Sequence, residues 1–182
     1  MKIAFVYDAI YPFVKGGAEK RIWEISKRLA YRGHEVHIFG LKWWEGDATL
    51  VKEGVHLHGV GKAQLYTKDG RRSIYEALYF SYKVLPPLLK QNFDVIDCSE
   101  FPYFSCYSAK IASWKNKIPL IITWHEVWGD YWYNYLGWRG FFGKIIEKSV
   151  IKLPDKIFAV SSQTKKDLTK AGAEPSKVEV VP

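Results

Sequence analysis

The chain has little sulfur. Its 182 residues include two cysteines and one methionine. Cys98 and Cys106 have neither the spacing nor the histidine company of a zinc site, and one possible pair makes no disulfide framework. Both are expected to be buried, reduced thiols. Long apolar runs are missing too: none approaches the about 20 residues that span a bilayer. Met1-Lys2 leads directly into a strand pattern and not into a signal peptide. These absences predict a cytoplasmic address. There is no internal repeat and no low-complexity stretch. Zinc-finger, RNP-like and basic-zipper patterns are absent, and lysine and arginine are scattered in short clusters such as Arg71-Arg72 and Lys165-Lys166. Nucleic acid is therefore not the expected partner.

What is present points elsewhere. A hydrophobic content of 48% over this length fits one well-buried domain. The net charge of +8 favours an anionic partner, be it a lipid surface or a phosphorylated small molecule. Aromatic residues make up 16% of the chain, and six of its eight tryptophans bunch at Trp43-Trp44 and from Trp124 to Trp138.

Apolar runs alternate with helical patterns. Ile3 to Val6 predicts a strand buried on both faces, and Ile22, Ile25, Ser26 and Leu29 recur at helical spacing behind a glycine pair, Gly16-Gly17. Gly33 is placed to end that helix, and Val36, Ile38 and Phe39 begin a second strand, which completes a βαβ unit. Residues 41–54 look irregular, and Val55 to Val60 alternates like a strand. A helix over 73–91 is expected to bend or restart at Pro86-Pro87. Further strands are expected at Phe93–Asp97, Ile118–Thr123, Lys156–Val160 and Val178–Val181. The intervening helices are Tyr103–Trp114, about Arg139–Leu153, and one capped by Ser161 or Ser162 and ended by Gly172. The class is α/β, with a mostly parallel, doubly wound sheet carrying helices on both faces. The chain stops on an apolar strand with no polar tail, which predicts that a longer protein continues beyond Pro182.

In such sheets ligands gather outside the carboxyl ends of the strands. That rule brings Asp8 and the glycine turn, Ser99-Glu100, Trp124-His125-Glu126 and Ser161-Ser162 to one rim. A bare glycine pair at a helix start suits an anion, because the first N–H groups of the helix lack partners; it can equally just ease a turn. His125 follows the most apolar strand and precedes Glu126, Trp128, Asp130, Tyr131, Trp132, Tyr133 and Tyr135, a lining that suits a sugar or simply packs a helix. His56 and His58 share one strand face with no Asp, Glu or Cys to complete a metal set, so a solvated face is expected; His34 and His37 are expected to be structural. Phe141, Phe142, Ile145, Ile146, Val150 and Leu153, with Arg139, Lys144, Lys148 and Lys152, fit a core helix or an anionic membrane surface.

Five motifs stand in register: Pro12 with Gly16-Gly17-Ala18-Glu19; Arg32-Gly33-His34-Glu35-Val36; Phe93-Asp94-Val95-Ile96; Pro119 with Thr123 and His125; and Asp155-Lys156-Ile157 with Val160-Ser161. Together they resemble the amino-terminal domain of glycosyltransferase family 4. The resemblance implies half of a GT-B fold, with residues 1–182 as the amino-terminal, acceptor-side Rossmann-like domain and a carboxy-terminal donor-binding domain, bearing the E-x7-E motif, outside this chain. It implies transfer of a sugar from a nucleoside-diphosphate sugar to a carbohydrate or lipid-linked acceptor, with retention and with no cofactor or essential metal. It also implies that the fragment is inactive alone. Carried over residue by residue, Gly16 and Gly17 match the loop near the donor diphosphate, and His125 matches the histidine that positions the transferred sugar. Glu100, Trp124, Glu126, Trp128 and Tyr131 fall where relatives contact acceptors, and Glu19 and Ser161 support the two loops. Lys15 stands directly before Gly16, one residue closer than in starch- and glycogen-synthase relatives, so no donor contact is expected of it. The rival readings are a nucleotide-sugar epimerase on the same plan and a non-catalytic sugar-binding module. A Rossmann oxidoreductase is disfavoured because the first turn lacks G-x-G-x-x-G. Peripheral contact with the inner face of a membrane stays open.

Overall fold

The computed structural model describes residues 1–63 and 73–182; the Arg71-Arg72 cluster lies outside the described residues. The elements run β1 (Lys2–Val6), α1 (Gly17–Tyr31), β2 (Glu35–Lys42), β3 (Thr49–Lys52), β4 (Val55–Lys62), α2 (Ile74–Lys90) and β5 (Val95–Ser99). They continue with α3 (Tyr103–Asn116), β6 (Leu120–Trp124), α4 (Tyr131–Leu136), α5 (Gly140–Val150), β7 (Lys156–Ala159), α6 (Ser162–Ala171) and β8 (Val178–Val180). The strands form one sheet in the order β3-β4-β2-β1-β5-β6-β7-β8. Every pair is parallel except β3 with β4. From β1 the chain crosses to β2 on one side, and from β5 it crosses to β6 on the other. The strand order therefore reverses between β1 and β5, the switch point at which sheets of this kind open a crevice.

Alternation along the strands divides the core in two. Ala4, Val6, Ile96, Cys98, Leu120 and Ile122 meet Phe80, Val84 and Leu88 of α2, Cys106 and Ala109 of α3, and Val150 of α5. The opposite face of β1 and β2 packs Ile3, Phe5 and Ile38 on Ile22 and Trp23 of α1. Both faces carry helices, unequally: among the described helices α1 alone contributes to the second core. Both cysteines are buried and unbridged.

Three expectations are revised, and a fourth, left open by the sequence, gains detail. Residues 41–54 are irregular only over 43–48, since β2 runs on to Lys42 and β3 pairs with β4 across Glu53 and Gly54. Those two residues have φ of 49° and 78°, as a two-residue hairpin requires. The turn hides in the sequence because Glu stands where Asn or Asp is usual. Secondly, α2 does not restart at Pro86 and Pro87, which both stand inside one helix. The carbonyls that lose donors belong to Tyr82 and Lys83, both exposed residues.

Thirdly, His56 and His58 do not form a solvated face. Both are half-buried, His37 stacks on His56 with ring centroids 4.8 Å apart, and His37 Nδ1 meets His58 Nε2 at 2.8 Å. Burial pushes His58 down to about 4, helped by the charges of His37, His56 and Lys2. No cluster of metal-ligating side chains occurs among the described residues.

Fourthly, α5 buries Gly140, Gly143, Glu147 and Val150 and turns its larger apolar residues outward. A methyl group on Gly143 would collide with the Trp132 ring, and one on Gly140 with the Trp132 backbone. The small residues thus take the packing face against α4, leaving Phe141, Phe142 and Ile145 exposed at 55%, 56% and 48%. No described helix is long and apolar enough to cross a membrane.

Candidate functional site

The carboxyl ends of β1, β5, β6 and β7 are neighbours in the sheet, so Asp8, the glycine turn, Glu100, His125 and Ser161 share one rim that straddles the switch point. The glycine turn is bare. Gly16 stands at the N-cap of α1 with φ of −146°, extended backbone that any residue adopts, and gives the helix no side-chain cap. A side chain at Gly17 would meet nothing within 4 Å. Glu19 is buried, and its carboxylate folds over Gly16, where a methyl group would strike it. Lys15 is exposed beside them.

The His125 segment is held on both sides. Glu100 Oε1 accepts from the backbone N–H of His125 at 2.9 Å and of Glu126 at 3.3 Å. The hydroxyl of Thr164 donates to the His125 carbonyl at 3.2 Å. Thr164 is itself fixed by Ser161, whose Oγ accepts from Thr164 N at 3.0 Å and caps α6. Burial pushes the Glu100 carboxyl up to about 8, against the backbone donors that favour its charged form. Burial, with the Arg21 charge, pushes His125 down to about 4, so its imidazole is neutral at ordinary pH. Its Nε2 is shielded from solvent and has no hydrogen-bond partner.

The aromatic loop after His125 is equally constrained. Glu147 of α5 is 2% exposed. Its Oε1 accepts from the Tyr103 hydroxyl at 3.0 Å and from Trp128 N at 2.8 Å, and its Oε2 from Gly129 N at 2.9 Å. Burial pushes the Tyr103 phenol well up, and the Glu147 charge adds to the shift. Trp128 stacks on Phe101 at 6.0 Å, lies 4.7 Å from Trp132, and donates its indole N–H to Glu126 at 2.6 Å. Tyr131, half-exposed, closes edge-on to Trp128 at 5.2 Å.

The acceptor set is therefore divided. Glu126, Trp128 and Tyr131 reach the surface. Trp124 does not: it is 0% exposed and packs in the main core at 6.0 Å from Tyr103, because it continues the inward-facing series Leu120, Ile122 of β6. Glu100 is 3% exposed, and its Oε1 faces the backbone of the His125 loop, a place from which it orders the loop. Glu147, Thr164 and Arg21 were not singled out from the sequence. Glu147 shares the helical stripe of Gly143 and Val150, and a carboxylate on a buried stripe was the available signal. Thr164 stands three residues after the cap Ser161. Arg21 donates to the Val181 carbonyl at 2.6 Å and lends its charge to Asp97 and His125; nothing local in the sequence marks it.

The family model described as Glycosyltransferase Family 4 matches residues 15–182. A comparison with curated protein sequences gives no match. Among solved structures, sucrose-phosphate synthase from Thermosynechococcus elongatus superposes with a TM-score of 0.75 at 14% identity, covering 100% of this chain and 47% of that one. HepE of Anabaena in complex with UDP-glucose gives 0.64 at 14% identity, with 100% and 43% covered. UDP-GlcNAc 2-epimerase from Methanocaldococcus jannaschii gives 0.57 at 14%, with 100% and 45% covered. At such identities the likeness is one of fold, and the chain spans less than half the length of each of these structures.

Proposed function

Starting from a chain that belongs to glycosyltransferase family 4, we propose that it is the acceptor-side, amino-terminal domain of a retaining, metal-independent transferase that takes a sugar from a nucleoside-diphosphate donor. One observation carries the reading: a bare helix N-terminus and a doubly pinned neutral histidine face one crevice across the β1/β5 switch point. In the transfer, the bond from the anomeric carbon to the leaving diphosphate breaks while a bond to the acceptor oxygen forms on the same face. The acceptor proton passes to a leaving-group oxygen. Charge accumulates on the diphosphate, and preorganised dipoles are the usual means of stabilising it. Here the uncapped N–H groups of α1 at Gly16-Gly17 supply such dipoles, while Glu19 must swing aside or stay clear of the anion.

His125 acts by position. A neutral imidazole can exchange a hydrogen bond with a sugar hydroxyl without adding charge, and its peptide is held by Glu100 and Thr164. The remaining donor contacts belong to a second domain, so this chain alone binds nucleotide weakly and does not turn over. The fold also resembles an epimerase, which needs no acceptor. Incubating the complete protein with a panel of nucleotide sugars separates the two. Acceptor-dependent product of retained configuration, unchanged by EDTA, is expected. An epimerised sugar formed without acceptor contradicts the transferase reading, and inhibition by EDTA contradicts metal independence.

A further inference from the structure

A cavity of about 350 Å3 lies beside the rim, on the α2–α3 side of the switch point. It is bounded by Ala77 of α2, Phe104 of α3, and Trp132, Leu136, Phe142 and Ile146 of the α4–α5 hairpin. Resting on the transferase reading above, we propose that this cavity holds the hydrocarbon chain of a lipid-linked acceptor, whose sugar or hydroxyl head then reaches the crevice at His125.

Three features support that occupant over a bare sugar. The volume lies within the about 300–1,000 Å3 typical of small-molecule sites, while the walls are aliphatic and aromatic almost throughout. Sugar hydroxyls buried there would lose water without gaining partners. Asp8, which follows β1, and Glu76, in the first turn of α2, are the carboxylates among the described lining residues. The cavity is thus apolar in its body and polar where it meets the rim, as an amphiphile requires.

The aromatic layer Phe101–Trp128–Trp132 is shared between the cavity and the loop that carries Glu126. A chain seated on one side therefore fixes the position of a head group on the other.

The outer lip completes the match. Trp138 is 76% exposed and is followed by the exposed Phe141, Phe142 and Ile145, a clustering of large apolar side chains of the kind that marks interaction sites. Arg139, just before α5, stacks on Trp138 at 5.6 Å, and Lys148 is exposed on α5. Apolar side chains rimmed by cations suit the boundary of an anionic bilayer, the phase from which such an acceptor is drawn. The sequence left this segment open between core helix and membrane surface, and its outward-facing aromatics now have a role.

The test uses 12-bromododecyl β-D-glucoside, kept monomeric, because bromine quenches tryptophan on contact and Trp132 and Trp138 both line the cavity. The chain should show saturable quenching that glucose does not produce and that unbrominated decyl β-D-glucoside reverses. Ala77→Phe and Ile146→Phe, which fill the cavity from opposite walls, should each weaken binding at least tenfold while retaining the parent melting curve; if one fails to fold, the other decides. Non-saturating quenching, no reversal by the unbrominated competitor, or equal affinity in a folded filled variant overturns the proposal. Loss of quenching only in a Phe141→Ser, Ile145→Ser double variant would put the chain on the surface ridge and also overturn it. The measurement needs no donor. Chain binding with no sugar transfer by the complete protein would contradict the transferase reading alone, and transfer with no chain binding would contradict the cavity alone.

Discussion

The two walls of the crevice are built on opposite principles. On the β6 side, His125 is held through its N–H by Glu100 and through its carbonyl by Thr164, and the following loop is tied to Glu147 by two hydrogen bonds, with a third reaching Glu147 from Tyr103 of α3. On the β1 side, the Gly16-Gly17 turn has no cap, and no side chain could be missed at Gly17 because none is near. The contrast separates the two contributions a site needs. One wall spends buried carboxylates on fixing geometry in advance, and the other leaves its dipoles unsatisfied, which under the proposed function a donor diphosphate would satisfy. Mutations in the groups that pin the first wall, Glu100, Thr164 and Glu147, should therefore register as lost stability, and mutations in the second wall as lost binding.

The largest effect on stability is expected at Glu147. Glu147→Ala strands three buried donors, each worth about 1 kcal/mol or more, so chemical denaturation should show a loss of about 3 kcal/mol; a loss below about 1 kcal/mol would mean that the loop is not pinned as described. Next comes Glu100, where the pH dependence carries the information. Its folded value of about 8 stands above the ordinary 4.5, so between these the folded chain holds a proton that the unfolded chain has released. Its contribution to stability is complete below pH 4.5 and is lost as pH rises through 8. Glu100→Gln, which cannot titrate, should flatten that decline in denaturation curves taken across the window, and an unaltered slope would remove Glu100 as its source. His125 works in the opposite sense, its stabilisation vanishing as pH falls from 6.5 through about 4.

Smaller still is the cap. Ser161→Ala removes the acceptor for Thr164 N and should lower stability by about 1 kcal/mol, with Ser161→Asp restoring most of it. At the end of the scale, Gly17→Ala should change stability by no more than about 0.5 kcal/mol, since the added methyl group meets nothing. In the complete protein the same substitution should weaken donor binding at least tenfold, as isothermal titration would show. If Gly17→Ala proved as destabilising as the changes at Glu100, the contrast between the walls would disappear.

Much of the rim was legible because it rests on strand ends. The apolar runs at Ile3–Val6 and Leu120–Thr123 locate their own boundaries, and whatever follows a parallel strand lies at the carboxyl edge. The glycine turn, His125 and the Ser161 cap were found in this way. Trp124 was also legible in principle. It shares the period of Leu120 and Ile122, and strict alternation assigns it to the core, whereas proximity to His125 drew it into the acceptor set. The partners of Glu147 and Thr164 were not legible, because Tyr103, Trp128, Gly129 and His125 lie 18 to 44 positions away, although the place of Glu147 on a buried helical stripe was a local signal. The hairpin at Glu53-Gly54 escaped for a different reason, since its backbone needs two positive φ values that glutamate seldom supplies. The outward aromatics of α5 depend on glycines taking the packing face, a choice visible only once α4 is in place.

The central claim is that the pinned His125 serves chemistry and not folding. It is tested most directly by measuring turnover and thermal unfolding of the complete protein side by side for wild type and His125→Ala. The account predicts a fall in kcat of about 100-fold or more, on the scale of a lost positioning contact, with the melting temperature lowered by only a few degrees. A melting temperature that collapses in step with activity, or an activity that survives, would contradict it.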